Sequence, residues 1–257
     1  MNFLVKSHNE KHKFALFIAS LSCMLKTVSS GKELLISDEK LSHRMMHVLR
    51  LAKGDGCIFF DQMSNAYCTI KEFIGKKQVL CIINKKEENI VLLPRITFLL
   101  PLLKRDDYEQ ALYTLTEVGV STIQLVSTDK THGMWSGQKD SDRAHRIIVS
   151  AAEQSKNFAY PELKAPISLA LALEIDEGAI KIFFDPQGTS LFCVMQKLRA
   201  RQYSNFILLI GPEGDLSAEE KEMIVAKGFL FCALTPTILR AVQAAALSAG
   251  LVRSLLT

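Results

Sequence analysis

An unbroken apolar run, Phe206-Ile-Leu-Leu-Ile210, stops at Gly211-Pro-Glu-Gly214. Ser217 follows, with Glu220 three residues later and Gly228 closing the segment. Few local patterns leave so little choice. Consecutive apolar residues suit a strand buried on both faces, the condition of strands in a parallel sheet. Gly211, Pro212 and Gly214 end that strand. Ser-x-x-Glu is a helix-opening capping box, and Gly228 is a C-terminal stop. Strand, glycine loop and capped helix read either as an ordinary tight βα turn or as the ligand-binding edge of an α/β sheet. In the second case the glycines let backbone approach a ligand and read it through N–H and C=O groups.

The same rhythm extends back to Ile96. Ile96–Leu100, Ile123–Val126, Ile180–Phe184 and Leu230–Leu234 read as further strands. Helices are expected from Asp106-Asp107 to Gly119, over Asp142–Ser155, and from Arg240 to the C-terminus, where Ala244–Ala246, Leu247, Leu251 and Leu255 are apolar. Strands spaced by helical patterns of about 10–15 residues imply a parallel sheet with helices on both faces. Ligands bind such sheets at the carboxyl ends of the strands. Three loops fall there, on adjacent strands: Asp185-Pro186, Gly211–Gly214 and Thr235–Leu239. No GxGxxG follows the first of these strands and no P-loop is present, so neither a nicotinamide Rossmann site nor a P-loop nucleotide site has support.

Upstream the pattern is different. Residues 31–50 read as a turn and then a helix, capped by Ser37 or Asp38, with Leu41, Met45, Val48 and Leu49 as its apolar stripe. His43, Arg44, His47 and Arg50 decorate its other positions. Two histidines at i and i+4 could hold a metal, but no third ligand accompanies them; a solvated basic face suits RNA phosphate better. Short runs at Cys57–Phe60, Ala66–Lys71 and Val79–Ile83, separated by Gly54-Asp55-Gly56, Ser64-Asn65 and Gly75-Lys-Lys77, suggest a small β-barrel. Lys85-Lys-Glu-Glu88 reads as an exposed linker before Pro94. The expected division is therefore 1–88 and 89–257, within the range for 257 residues.

The N-terminus imitates a signal peptide: Lys6, Lys11 and Lys13 precede an apolar run, Phe14–Leu25, broken by Ser20 and Ser22. That run is too short to span a bilayer, and a first strand or short extension of the N-terminal domain is the favoured reading. The six cysteines are scattered without a CxxC pair, which suits free buried thiols in a reducing compartment and gives no zinc site. A net charge of +4 fits a nucleic-acid partner without requiring one.

Ile210-Gly-Pro-Glu-Gly214 followed by Leu234-Thr-Pro-Thr-Ile-Leu-Arg240 resembles the SPOUT-class methyltransferases, and among them the bacterial 16S rRNA uracil-N3 methyltransferase family. His43…Val48-Leu-Arg50…Gly54-Asp55…Phe60-Asp61 is similar to the PUA-like RNA-binding domain that opens that family's chains. The resemblance implies an α/β fold: a SPOUT-type parallel sheet with a C-terminal trefoil knot, preceded by the PUA-like β-barrel. It implies a cytoplasmic homodimer without membrane contact that binds S-adenosyl-L-methionine and methylates N3 of a uridine (position 1498 type) in 16S rRNA of the small ribosomal subunit. Asp185, Pro186, Gly211, Glu213, Gly214, Leu234, Ile238 and Leu239 are the implied cofactor residues. His43, Arg44, His47, Arg50, Lys104 and Lys130 are the implied RNA contacts. Arg240 would stabilise developing negative charge or anchor phosphate, or simply be a solvated arginine at a helix start. Glu153, in Ala151-Ala-Glu-Gln-Ser155, would orient a substrate group, or be a charge on an exposed helix face.

The chain departs from the family pattern where catalysis and RNA are concerned. Thr-Glu-Thr-Ala after Ile-Leu-Arg is here Ala241-Val-Gln-Ala244, and the arginine before Ile-Leu-Arg is Thr237. Gly-Arg-Asn-Arg after Glu-Gln is Lys156-Asn-Phe-Ala159, the lysine expected near 114 is Thr114, and the second glycine of Gly-Pro-Glu-Gly-Gly is Asp215. A catalytically weakened SPOUT protein acting as an RNA- or ribosome-binding factor, or a SPOUT enzyme with another RNA target, are the alternative expectations.

Overall fold

The computed structural model describes residues 13–131, 135–175, 178–198 and 203–256. Lys6, Lys11 and His132 lie outside them. The chain divides into two compact units, one up to Ile90 and one from Val91.

The first unit is a five-stranded sheet, β1 (Phe14–Phe17), β2 (Glu33–Ser37), β3 (Gly56–Phe60), β4 (Ser64–Ile74) and β5 (Gln78–Glu88), in the order β1-β3-β4-β5-β2. All neighbours are antiparallel except β1, which runs parallel to β3. The run Phe14–Leu25 is therefore two elements, β1 and the helix α1 (Leu21–Thr27). The break has a distant cause: the buried Asp61 carboxylate accepts Ser22 N–H at 2.6 Å, together with Met63 and Ser64 N–H at 2.8 Å. Burial pushes the Asp61 carboxyl up, but the bonds from Ser22, Ser64 and Met63 outweigh it and hold it below the usual carboxylate range.

Residues 31–50 also differ from expectation. Leu34 and Ile36 are buried while Glu33, Leu35 and Ser37 are exposed, a period-2 pattern that makes β2. Asp38 then caps α2 (Glu39–His43), accepting Leu41 N–H at 2.9 Å, and the helix widens into a π-type turn over Arg44–Val48. That widening rotates the stripe, so Met45 is buried and Val48 is 64% exposed. Lys85–Glu88 is no linker: it is the polar end of β5, paired with Ser64–Tyr67. The ladder there outruns the core, so its side chains are exposed and the hydropathy pattern is silent. Cys57, Cys68 and Cys81 are buried in this unit's core. Contact with Cys81 and then burial raise Cys57, and burial pushes Cys68 up to about 12, so the Cys57 and Cys68 sulfurs stay thiols.

The second unit is an α/β sheet whose six strands, β6 (Arg95–Pro101), β7 (Thr122–Ser127), β8 (Glu162–Ser168), β9 (Ile180–Ser190), β10 (Asn205–Ile210) and β11 (Leu230–Ala233), pair in parallel in the order β11-β9-β10-β6-β7-β8. The run that dictated a two-sided strand is β10. Phe206, Leu208 and Ile210 enter one core, and Ile207 and Leu209 enter the core on the other face. At roughly 1.5–3 kcal/mol per fully buried large side chain, this strand is a principal source of sheet stability. The helices are α3 (Arg105–Val118), α4 (Gln138–Ser155), α5 (Leu169–Ala172), α6 (Leu191–Leu198), α7 (Ala218–Ala226) and α8 (Ala241–Leu256). β8, α5 and α6 were not legible in the pattern.

Two details set up the site. β9 does not stop at Asp185-Pro186 but continues to Ser190, and β11 pairs with its extension at Thr189 and Ser190 after a register shift. Gly188 permits this: a Cβ there would lie 2.5 Å from Cys232 N and 2.6 Å from Phe231 C. Second, α3 and α8 pack side by side and run in the same direction. Their far ends are pinned by Arg253, which donates to Pro94 O at 2.7 Å and Gly119 O at 2.6 Å. Their first turns therefore meet at the carboxyl edge of the sheet.

Candidate active site

The carboxyl ends of β9, β10 and β11, three neighbouring strands, surround a cavity of about 770 Å³. Asp185 and Pro186 on β9, Gly211 to Glu213 after β10, and Leu234 to Leu239 after β11 form one wall. The first turns of α3 and α8 form the other, with Lys104 and Asp107 on one helix start and Arg240, Ala241 and Ala244 on the other. Ile238 stands 86% exposed on the lip, an apolar side chain turned to solvent.

The loop after β10 is held from behind. Ser217 Oγ accepts Glu220 N–H at 3.2 Å, while Glu220 Oε2 accepts Ser217 N–H at 2.8 Å, which completes the capping box of α7. The same buried carboxylate reaches further, Oε1 accepting Asp129 N–H at 2.9 Å, and Ser217 Oγ lies 3.0 Å from Asp129 Oδ2. The loop after β7 is thereby clipped to the loop after β10. Asp215 has φ 57°. A glycine suits that left-handed backbone, and aspartate is among the residues that tolerate it. Its carboxylate accepts Leu216 N–H at 2.8 Å and meets Lys221 Nζ at 3.0 Å.

Lys221 also meets Asp185 Oδ2 at 3.0 Å, so one ammonium bridges the end of β9 and the loop after β10. Asp185 is nearly buried and takes a further bond from Gln187 N–H at 2.8 Å. Burial alone would raise the Asp215 carboxyl; Leu216 N–H and Lys221 overcome it and hold it below the ordinary range. Burial would lower the Lys221 ammonium; the two aspartates overcome it and raise it.

Of the residues singled out from sequence, Asp185, Pro186, Gly211, Glu213, Leu234, Ile238, Leu239, Arg240 and Lys104 all line this one cavity. Lys104 N–H also donates to Glu213 Oε1 at 3.2 Å, which closes the cavity between its two walls. Gly214 does not line it: a Cβ there would meet Lys130 Cβ at 3.2 Å, on the back of the loop. Lys130 itself reaches Leu216 O at 3.4 Å, so the structure gives it a loop-holding contact. Glu153 lies in the last turn of α4, at the amino edge of the sheet, where Asn157 Nδ2 bonds Thr116 O at 2.8 Å. The cavity is at the other edge, so within this unit Glu153 and Arg240 are not brought together. His43, Arg44, His47 and Arg50 are exposed in the first unit, with the two imidazoles 4.7 Å apart. No group of three metal-binding side chains converges among the described residues.

Sequence reasoning did not single out Asp107, Gln187, Asp215 or Lys221, which also line the cavity, as do Thr235 and Thr237 of the loop already expected at this edge. The rule that ligands meet the carboxyl edge could have found Asp107, since it already lay in the first turn of a helix expected to start there. Lys221 carries no local signal: its partners are 36 and 6 residues away.

Residues 91–253 match the model of the RNA methyltransferase domain family. Ribosomal RNA small subunit methyltransferase E of Synechocystis is 27% identical over 223 residues, covering 83% of this chain and 71% of its own length. The fold is shared with ribosomal RNA small subunit methyltransferase E of Neisseria gonorrhoeae bound to S-adenosyl methionine, with TM-score 0.79, 21% identity, and 95% and 98% of the two chains covered. A methyltransferase of Legionella pneumophila with the bound cofactor SAM gives TM-score 0.77 at 23% identity, with the same coverage. The parallel sheet, the cavity at its carboxyl edge and the match over most of the second unit together place this chain in the RNA methyltransferase domain family, as a SPOUT-type member.

Proposed function

We propose that the protein methylates N3 of a uridine in 16S rRNA of the small ribosomal subunit, of the position 1498 type, using S-adenosyl-L-methionine, and that it does so as a cytoplasmic homodimer. The observation that carries the reading is the single cavity formed by Asp185, Gly211, Leu234 and Arg240 from four separate stretches of chain. Support for the substrate comes from the relatives' names and from the exposed His43, Arg44, His47 and Arg50 face, whose charge suits phosphate.

The residues present fit the cofactor. Three cations, Lys104, Lys221 and Arg240, face four carboxylates, Asp107, Asp185, Glu213 and Asp215, a lining of net charge −1. A sulfonium amino acid carries net +1, and an acidic lining favours it over its neutral demethylated product. The glycine-loop backbone and the apolar Leu234, Ile238 and Leu239 would hold its base and sugar, with Ile238 covered on binding. The cofactor supplies an electrophilic methyl group. The protein's part is to seat N3 in line with that methyl and to assist loss of the N3 proton, since protonated uracil nitrogen is a poor nucleophile. Arg240, at the start of α8, faces the anion that develops on the flanking carbonyl oxygens. The partner SPOUT-type protomer is the expected source of further RNA contacts.

Comparing nucleosides of 16S rRNA by mass spectrometry, with and without the gene, tests the reading. Loss of 3-methyluridine supports it; a 3-methyluridine level independent of the gene removes it. One observation favours a second reading, a binding factor of the same fold: the position where the family carries a carboxylate is the buried Val242. Purified protein that binds small subunits but transfers no methyl group would establish that alternative.

A further inference from the structure

Methyl transfer to N3 needs somewhere for its proton to go, and the start of α8, where the family pattern has Thr-Glu-Thr, offers no carboxylate in this chain. Val242 occupies that position and packs into the core. We infer, building on the function proposed above, that Asp107 of α3 is the group that takes the proton.

Of the four carboxylates lining the cavity, three are committed. Asp185 and Asp215 share Lys221 at 3.0 Å each, and Glu213 accepts Lys104 N–H at 3.2 Å. The Asp107 side chain has no hydrogen bond or ion pair among the described residues. It is half-buried, on the wall opposite the three cofactor loops. α3 and α8 pack side by side, and Asp107 and Arg240, each at the start of its helix, line the same cavity. The cavity wall between them is made by Ala241 and Ala244, which leave room for a flat ring. A uracil seated there has a proton acceptor on one side and a guanidinium for its oxygens on the other.

The step balances without another reactant. The N3–H bond breaks and its proton passes to the Asp107 carboxylate. The N3 electron pair forms the bond to the methyl carbon, and the old bond to sulfur breaks with its pair left on sulfur. Asp107 then returns the proton to water, which reaches it because the side chain is not sealed in. Placing the acceptor on α3 accounts for how a chain lacking the α8 carboxylate can still carry the reaction.

The test uses the full chain with intact small subunits. Asp107→Asn keeps the shape and removes the base. The expected result is a fall in single-turnover methylation of about 100-fold or more. Subunit binding and melting temperature should stay within experimental error of wild type, and S-adenosylmethionine affinity by calorimetry, with one acidic lining charge removed, should fall far less than the rate. The residual rate should climb with pH through the neutral range, as hydroxide replaces the lost base, and Asp107→Glu should restore part of the rate. Asp107→Asn within fivefold of wild type, with an unchanged pH profile, overturns the inference. So does a loss of cofactor affinity that accounts for the whole rate loss, since Asp107 would then be a binding residue. Wild-type protein that methylates no small-subunit RNA removes the proposed function itself, and the inference with it; that failure is visible before any variant is made.

Discussion

Replacing Lys221 by methionine tests the bridge that ties the end of β9 to the loop after β10. The Asp185 side chain is 7% exposed, that of Lys221 31% and that of Asp215 64%. Removing the ammonium leaves Asp185 as a nearly buried carboxylate with, among the described residues, only Gln187 N–H to compensate it. Breaking a fully buried pair by deleting one partner costs about 3–5 kcal/mol. The Asp215 arm is a surface contact worth at most about 1 kcal/mol. Because Lys221 is itself partly exposed, the net loss should be about 1–3 kcal/mol. For a unit of this size that lowers the melting temperature by roughly 3–10 °C. Asp185→Asn in the same background should recover most of the loss, because an amide tolerates the site without a counter-charge. The pH dependence has a definite sign. Asp215 is held below its ordinary 3.8, so its share is present above that value and is lost as pH falls through the lower folded value. Lys221 is raised above 10.5, so its share is present below 10.5 and is lost as pH rises through the higher folded value. The difference between wild type and Lys221→Met should therefore be level across about pH 5–10 and shrink outside it. Thermal unfolding of the four proteins of the cycle reads all of this. A Lys221→Met loss below 0.5 kcal/mol, or strictly additive single and double variants, as distant sites would give, refutes the argument.

Gly211→Ala should leave the melting temperature unchanged, because its Cβ would meet only Asp215 Oδ1 at 3.6 Å and Leu216 Cγ at 3.9 Å; S-adenosylmethionine affinity by calorimetry should drop about tenfold if backbone there touches the cofactor. Gly188→Ala should cost about 2 kcal/mol or more, since its Cβ falls within 2.7 Å of three β11 backbone atoms, and chemical denaturation will measure it. Lys156 ends α4 at φ 59°, where the family pattern has glycine, so Lys156→Gly should stabilise the protein by roughly 0.5–1 kcal/mol in the same assay. Arg44→Glu with Arg50→Glu should weaken small-subunit binding and flatten its salt dependence by about two charges in a filter-binding titration, with cofactor affinity unaltered.

The sequence by itself determined most of the strands of the second unit and the sheet edge that carries the cavity. Runs such as Phe206–Ile210 have no stable home except between two layers, and Ser217 with Glu220 starts a helix from local bonds alone. Where local signals and burial agree, strand, loop and cap can be read without coordinates. The sequence was silent where an element is polar or short. Lys85–Glu88 pairs with Ser64–Tyr67 beyond the core, β8 is mostly exposed, and a helix as short as α5 has almost no pattern to recognise. Spacing along the chain did not give position in the fold. Gly214 sits two residues from Pro212 yet faces Lys130, and Glu153 belongs to a motif-like stretch at the amino edge of the sheet.

Only the tertiary structure decided which charges share a cavity. The bridge from Lys221 to Asp185 and Asp215, the bond from Lys104 N–H to Glu213, and the placing of Asp107 and Arg240 on one cavity arise from strand order and from two packed helices pinned at Arg253. Electrostatic partnership acts over a few ångströms of space and takes no account of distance along the chain. A sequence can therefore declare a strand and a cap, but the assignment of a carboxylate as bridge or as base waits for the fold that brings it to its neighbours.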